Sequence, residues 1–194
     1  MRLFLLGLLI VLATHSVRLL AEDWRARMIE RLGRWRWYGL FSLVSTLGLV
    51  LLVWGFALVR EQPVVIWQPP PALRHVAMTL MGLSSVLLVA ALIPANHVQA
   101  RVHHAATLSV TAWATAHLLV NGMLAHLLLF GAFGLWSIWA YVAARRRDRR
   151  QGVAPLPGRT GRTAQVVILA VLLWLLFVLW LHGWLIGIRP LTWV

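Results

Sequence analysis

The stretch Trp113-Ala114-Thr115-Ala116-His117-Leu118-Leu119-Val120-Asn121-Gly122 decides how this chain folds. It sets a histidine, and then an Asn-Gly turn signal, between the largely apolar segments 105–120 and 123–143. Segments of that kind read as membrane helices, so Asn121-Gly122 becomes the turn of a hairpin. An ionisable side chain at such depth is costly in hydrocarbon, which makes His117 a functional-site candidate by default. His15 stands in the first apolar segment in the same way.

The composition around that hairpin agrees. Hydrophobic residues make up 61% of the 194, and mean hydropathy is +0.80; soluble domains run at roughly 45–50% apolar. The chain reads as an all-α polytopic membrane helix bundle, a single domain over residues 1–194 with no separate soluble part. A spanning helix needs about 20 apolar residues. Six stretches qualify: 3–20, 38–59, 73–93, 105–120, 123–143 and 164–188. The first sets Arg2 before a short apolar core, as a signal peptide would, but Ala13-Thr14-His15 is a poor cleavage site. It is read as a helix.

Arginine supplies all 18 basic residues against five acids, for a net charge of +13. The arginines flank apolar segments without any groove-reading motif, so membrane lipid, and no nucleic acid, is the expected partner. Connection 22–37 holds Arg25, Arg27, Arg31, Arg34 and Arg36, with Arg18 beside it, and Arg101 lies in the third connection. The loop 145–163 holds Arg145, Arg146, Arg147, Arg149, Arg150, Arg159 and Arg162. Only Arg2, Arg60, Arg74 and Arg189 fall on the other side. Six spans bring the rich set to one face, the cytoplasm, and leave both termini outside.

Three connections have a character of their own. Residues 22–37 alternate arginine with Trp24, Met28, Ile29, Leu32, Trp35 and Trp37, as an amphipathic helix in the cytoplasmic interface does. Residues 62–71, with Trp67 and Pro69-Pro70-Pro71, read as a stiff polyproline-like strap. Residues 152–161 read as a mobile Pro/Gly-rich loop. Trp24, Trp35, Trp37, Trp67 and Trp193 belong to the interfacial aromatic belt.

The absence of cysteine excludes disulfides, thiolate ligands, iron–sulfur clusters and cysteine nucleophiles. No acid lies deep in an apolar span and no Gly-x-Ser-x-Gly elbow exists, which argues against paired-carboxylate and serine-triad catalysis. Histidine is the chemical resource at depth, with eight in the chain. At 1.5 Å per residue, His15 lies roughly 7 Å and His117 roughly 18 Å from the cytoplasmic ends of their helices. His126 comes just past the turn, at about the depth of His117. His75 and His182 fall near the outer surface, and His97, His103 and His104 near the inner one. Val110, Ala114 and His117 share a helix face, with His103 about 40° away. The small residues of that helix admit a close neighbour or a flat ligand. On spacing alone, His15 pairs as well with His103 as with His117. His75, His126 and His182 also suit a three-nitrogen zinc or copper site.

Several elements together resemble the NnrU family. They are His15-Ser16-x-Arg18; Leu32-Gly33 through Tyr38-Gly39-Leu40-Phe41-Ser42-Leu43-Val44-Ser45; and Trp67 with Pro69-Pro70. The most specific is Trp113-x-x-Ala116-His117-Leu118-Leu119-x-Asn121-Gly122, followed by Leu127-Leu128-Leu129-Phe130-Gly131. The family includes bacterial proteins linked to denitrification and nitric-oxide metabolism, and the plant 15-cis-zeta-carotene isomerase, a membrane enzyme that holds heme b through histidines. The resemblance implies that His15 and His117 match the two ligand histidines. Ala114 stands where the isomerase has a redox-switching cysteine, so a cysteine-based ligand switch is not available here. His103-His104-Ala105 stands where the family reads Arg-His-Pro.

The expected protein is therefore an NnrU-like inner-membrane protein of a bacterial cell holding heme b, with His15 and His117 as metal ligands. His103, His104 and His126 are the alternates. Arg18, one turn past His15, is the expected partner of a heme propionate, and Ser16 and Asn121 the hydrogen bonders that orient the imidazoles. Three functions follow: an isomerase-like or redox enzyme acting on a lipid-soluble or gaseous substrate, a heme-binding sensor or electron-transfer protein, and a heme-free structural or transport component.

Overall fold

In the computed structural model, which describes residues 1–191, the regular elements among the described residues are all helices. They are α1 (Arg2–Leu20), α2 (Glu22–Leu32), α3 (Arg34–Arg60), α4 (Leu73–Leu92), α5 (His97–Val102), α6 (Ala105–Val120), α7 (Leu124–Gln151), α8 (Thr160–Leu176) and α9 (His182–Ile186). A π-helical turn, Phe177–Leu181, joins the last two. Trp193, expected at an interface, lies outside the described residues.

Among the described residues, five helices are long and apolar enough to cross a membrane: α1, α3, α4, α7 and the run Thr160–Ile186. The chain is a membrane protein. The sixth expected span, α6, has 16 residues. At about 24 Å it is shorter than a hydrocarbon core of roughly 30 Å. It is bounded by His103, with φ 65°, on one side and Asn121-Gly122 on the other.

The described residues form two compact units, Met1–Gln68 with Asn121–Trp136, and Pro69–Val120 with the described chain from Ser137. In the first, α1 and α3 lie backbone to backbone. A Cβ on Gly7 would strike the α3 backbone at Leu51 and Leu52, and one on Gly55 would strike the α1 backbone at Leu3 and Phe4. Lipid is as apolar as leucine, so close approach through small residues, more than water exclusion, holds such helices together. Phe4, Leu8, Val11 and Leu52 are buried at this contact, with Leu128, Leu129, Ala132 and Phe133 of α7 packed on them.

The strap 62–71 owes its position to hydrogen bonds more than to proline stiffness. Ile66 and Trp67 donate backbone N–H to the Gly122 carbonyl at 2.8 and 3.2 Å, and Leu124 N–H donates to the Val64 carbonyl at 2.8 Å. Val65 and Met123 form an isolated antiparallel bridge. Any Cβ on Gly122 would collide with the Trp67 carbonyl oxygen. Trp67 and Asn121-Gly122, distant in sequence, thus form one structural piece, and the glycine is required by the close backbone approach.

In the second unit α4 and α6 exchange hydrogen bonds. Ser84 Oγ donates to the Ser109 carbonyl and Ser109 Oγ to the Ser84 carbonyl, both at 2.9 Å. Ala105, Ser109, Ala112, Ala114 and Ala116 of α6 are buried, Ala114 on the face of His117. At 100° per residue Ala105, Ser109, Ala112 and Ala116 form one stripe, roughly 140° around the helix from the face of Val110, Ala114 and His117. Val166 and Ala170 of α8 join the core with Leu87, Val89 and Ala90 of α4. Asn96, fully buried, donates from Nδ2 to the Ala90 and Ile93 carbonyls and accepts from Gln99 N–H, which joins the end of α4 to the start of α5.

Two connections differ from expectation. The amphipathic stretch 22–37 is not one helix: Gly33, with φ 81° and ψ 154°, ends α2, and Arg34–Trp37 become the first turn of α3. Helix α7 continues through the arginine run to Gln151, since arginine is a good helix former and needs no apolar surroundings. The non-helical loop is correspondingly shorter than 145–163. Its far end is pinned by Arg159 N–H on the Ala95 carbonyl at 2.9 Å.

Candidate functional site

His15 projects from the last turns of α1. Its Nδ1 lies 2.8 Å from the Val11 carbonyl, four residues back. A carbonyl only accepts, so Nδ1 carries the proton, and in the neutral ring the lone pair is on Nε2. The edge of Phe41 meets the ring at 5.3 Å between centroids, and Trp136 at 6.2 Å. Beside it lies a cavity of about 220 Å³ lined by Thr14, His15, Val17, Arg18, Arg25, Trp37, Tyr38 and Phe41. One imidazole, two guanidiniums and three aromatic side chains thus share one space.

In the other unit His117 repeats the same device. Its Nδ1 is 2.9 Å from the Trp113 carbonyl, again four residues back, and its ring packs on Trp113 at 5.2 Å. The tautomer is fixed as for His15. Both histidines expected as ligands therefore direct Nε2 away from their own helix backbone.

The supporting residues are arranged differently from expectation. Ser16 does not orient His15. Adjacent residues on a helix point about 100° apart, and the buried Ser16 Oγ instead donates to the Leu12 carbonyl at 2.6 Å and accepts from Trp136 Nε1 at 3.0 Å. The groups that meet Nδ1 of the two rings are the Val11 and Trp113 carbonyls. Arg18 does border the cavity. Its Nε lies 3.8 Å from Glu22 Oε1, and Arg25 reaches the same oxygen at 4.0 Å.

The alternate histidines have other roles. His104 Nε2 bonds Asp148 Oδ2 at 2.8 Å, Arg145 stands 4.0 Å from that oxygen, and the Tyr141 ring lies edge-on to the imidazole. His103 takes a left-handed backbone where α5 ends. His126 is framed by Phe56 and Phe130. The three-histidine zinc or copper site does not form. No group of three histidine or carboxylate side chains among the described residues is placed to hold a metal ion.

Arg25, Tyr38, Phe41 and Trp136 escaped the sequence reading as site residues. Arg18, Glu22 and Arg25 recur at intervals of four and three, the spacing of one helix face, and that was the available signal for Arg25. Tyr38 and Phe41 sit inside the shared Tyr38-Gly39-Leu40-Phe41 run. Nothing in sequence ties Trp136 to Ser16, 120 residues away.

No curated protein and no solved structure matches the chain. The model of the family described as NnrU protein matches residues 3–190. With its histidines and glycine turn on nearly the whole length of that match, the chain belongs to the NnrU family.

Proposed function

We propose that this NnrU protein binds heme b in the inner membrane of a bacterial cell, with His15 and His117 as the residues that would hold its iron and both termini on the periplasmic side. The observation that carries the reading is the shared anchoring of the two imidazoles. Each spends Nδ1–H on a backbone carbonyl, at 2.8 and 2.9 Å, which fixes the ring and turns Nε2 away from its own helix backbone. Histidine ligands to metals are held in this way.

The cavity beside His15 suits one edge of such a group. Its aromatic walls match a flat macrocycle, and Arg18 and Arg25 suit two carboxylates. About 220 Å³ is less than the roughly 300–1,000 Å³ of a pocket enclosing a whole ligand. It therefore fits a propionate-bearing edge, whose carboxylates would face Arg18 and Arg25 beside Glu22. The other support is the family, which the resemblance links to a heme enzyme.

When bound, heme b would supply a redox-active iron, and His15 and His117 would hold it. The chain does the rest. The Val11 and Trp113 carbonyls hold the rings in orientation, the arginines anchor carboxylates, and the surrounding apolar helices keep water out. For chemistry on a lipid-soluble or gaseous substrate, one imidazole must withdraw. His15 would be the more readily displaced of the two, since it is exposed while His117 is half-buried against Trp113.

Purified protein supplied with heme shows a Soret band on this reading, and a protein that stays colourless overturns it. Carbon monoxide added to the reduced protein decides between the two heme functions. A shifted Soret band marks a displaceable ligand and an enzyme. An unchanged band marks a sensor or electron carrier with both positions filled.

A further inference from the structure

At the opposite end of α1 and α3 from His15 lies a second cavity, of about 30 Å³. Met1, Val59, Arg60, Gln62, Pro63, Val64, Met123, Leu124, Ala125 and His126 line it. Along α1 the two cavities are about 20 Å apart. His126 is clamped there, with Phe56 edge-on at 5.2 Å and Phe130 nearly parallel at 6.1 Å. Its Nδ1 is buried and meets no hydrogen-bonding partner. An imidazole nitrogen is always a donor or an acceptor, and a buried one without a partner calls for a ligand, water or ion beside it.

The wall selects among these. Its one charged side chain is Arg60, its amide is Gln62, and no carboxylate is present. A metal cation would meet a single imidazole and a guanidinium of like sign, which disfavours it. The volume admits about two or three heavy atoms. We propose that the His126 cavity is a binding site for a small monovalent anion of the size of chloride or formate, held by His126 Nδ1–H, Arg60 and Gln62. The strap residues Pro63 and Val64 close it, since Val64 is fastened to Leu124 beside His126. The site owes nothing to heme.

The test uses the full chain in detergent, without heme, at matched ionic strength. Sodium chloride or formate raises the melting temperature saturably, by about 2–4 °C, over sodium isethionate, whose anion is too large to enter. Arg60→Gln and His126→Phe abolish the difference, and His15→Ala leaves it intact. Chloride-35 NMR gives a second readout should a variant fail to fold: the wild type broadens the line, and formate reverses the broadening. Equal stability in all three salts, without line broadening, means the cavity holds water and overturns the proposal. A response that persists in Arg60→Gln and His126→Phe means an adventitious ion only, and overturns it equally.

Discussion

The His15 end of the α1–α3 pair holds a cavity of about 220 Å³ bordered by two arginines, whereas the His126 end leaves about 30 Å³ beside a strap hydrogen-bonded across a glycine turn. Both ends carry a histidine among aromatic rings. They differ in what connects the helices. At the His15 end, α2 contributes no buried residue and is bracketed by Ala21 and the positive-φ Gly33. At the other end, Ile66, Trp67 and Leu124 N–H groups fasten strap to turn. Room for the edge of a ligand follows from a loosely packed connection, and a small closed site from a backbone-bonded one.

The largest expected effect strikes the closed end. Gly122→Ala drives a methyl into the Trp67 carbonyl and should cost about 3 kcal/mol, a fall in melting temperature of roughly 6–12 °C in detergent. An unchanged melting temperature would mean the strap is not fastened there. Arg25→Ala strikes the open end. Arg25 is three-quarters covered, at 24% side-chain exposure, so its loss should weaken heme binding about tenfold in a spectroscopic titration, with little change in stability. An equal loss of stability and affinity would turn Arg25 into a packing residue. The smallest effect is Trp136→Phe, which removes the Nε1–H bond to Ser16. It should cost about 0.5–1.5 kcal/mol by thermal melting while leaving the histidine ligation spectrum unchanged.

The same contrast shows what the sequence could reveal. Apolar segments located the long helices, because hydropathy over about 20 residues reports lipid burial directly. His15 and His117 stood out because an ionisable group in such a segment is conspicuous. Their Val11 and Trp113 anchors were implicit in helix geometry, since any helical residue has a carbonyl four positions back. The break at Gly33 was less visible: a lone glycine inside an amphipathic pattern does not announce its φ. The Gly122–Trp67 contact, the Trp136–Ser16 bond and the cavity at His126 are tertiary, and no local pattern encodes them. The extent of α7 was missed for a different reason: hydropathy marks where lipid ends, and Arg145–Arg150 continue the helix past that point.

The most direct measurement is the absorption spectrum of heme-loaded wild type beside His15→Ala, His117→Ala, His126→Ala and His104→Gln. A six-coordinate bis-histidine spectrum is expected for the wild type, for His126→Ala and for His104→Gln. Each of the other two variants should lose the band or shift it to a five-coordinate form. A wild-type spectrum in both His15→Ala and His117→Ala would contradict heme ligation by this pair.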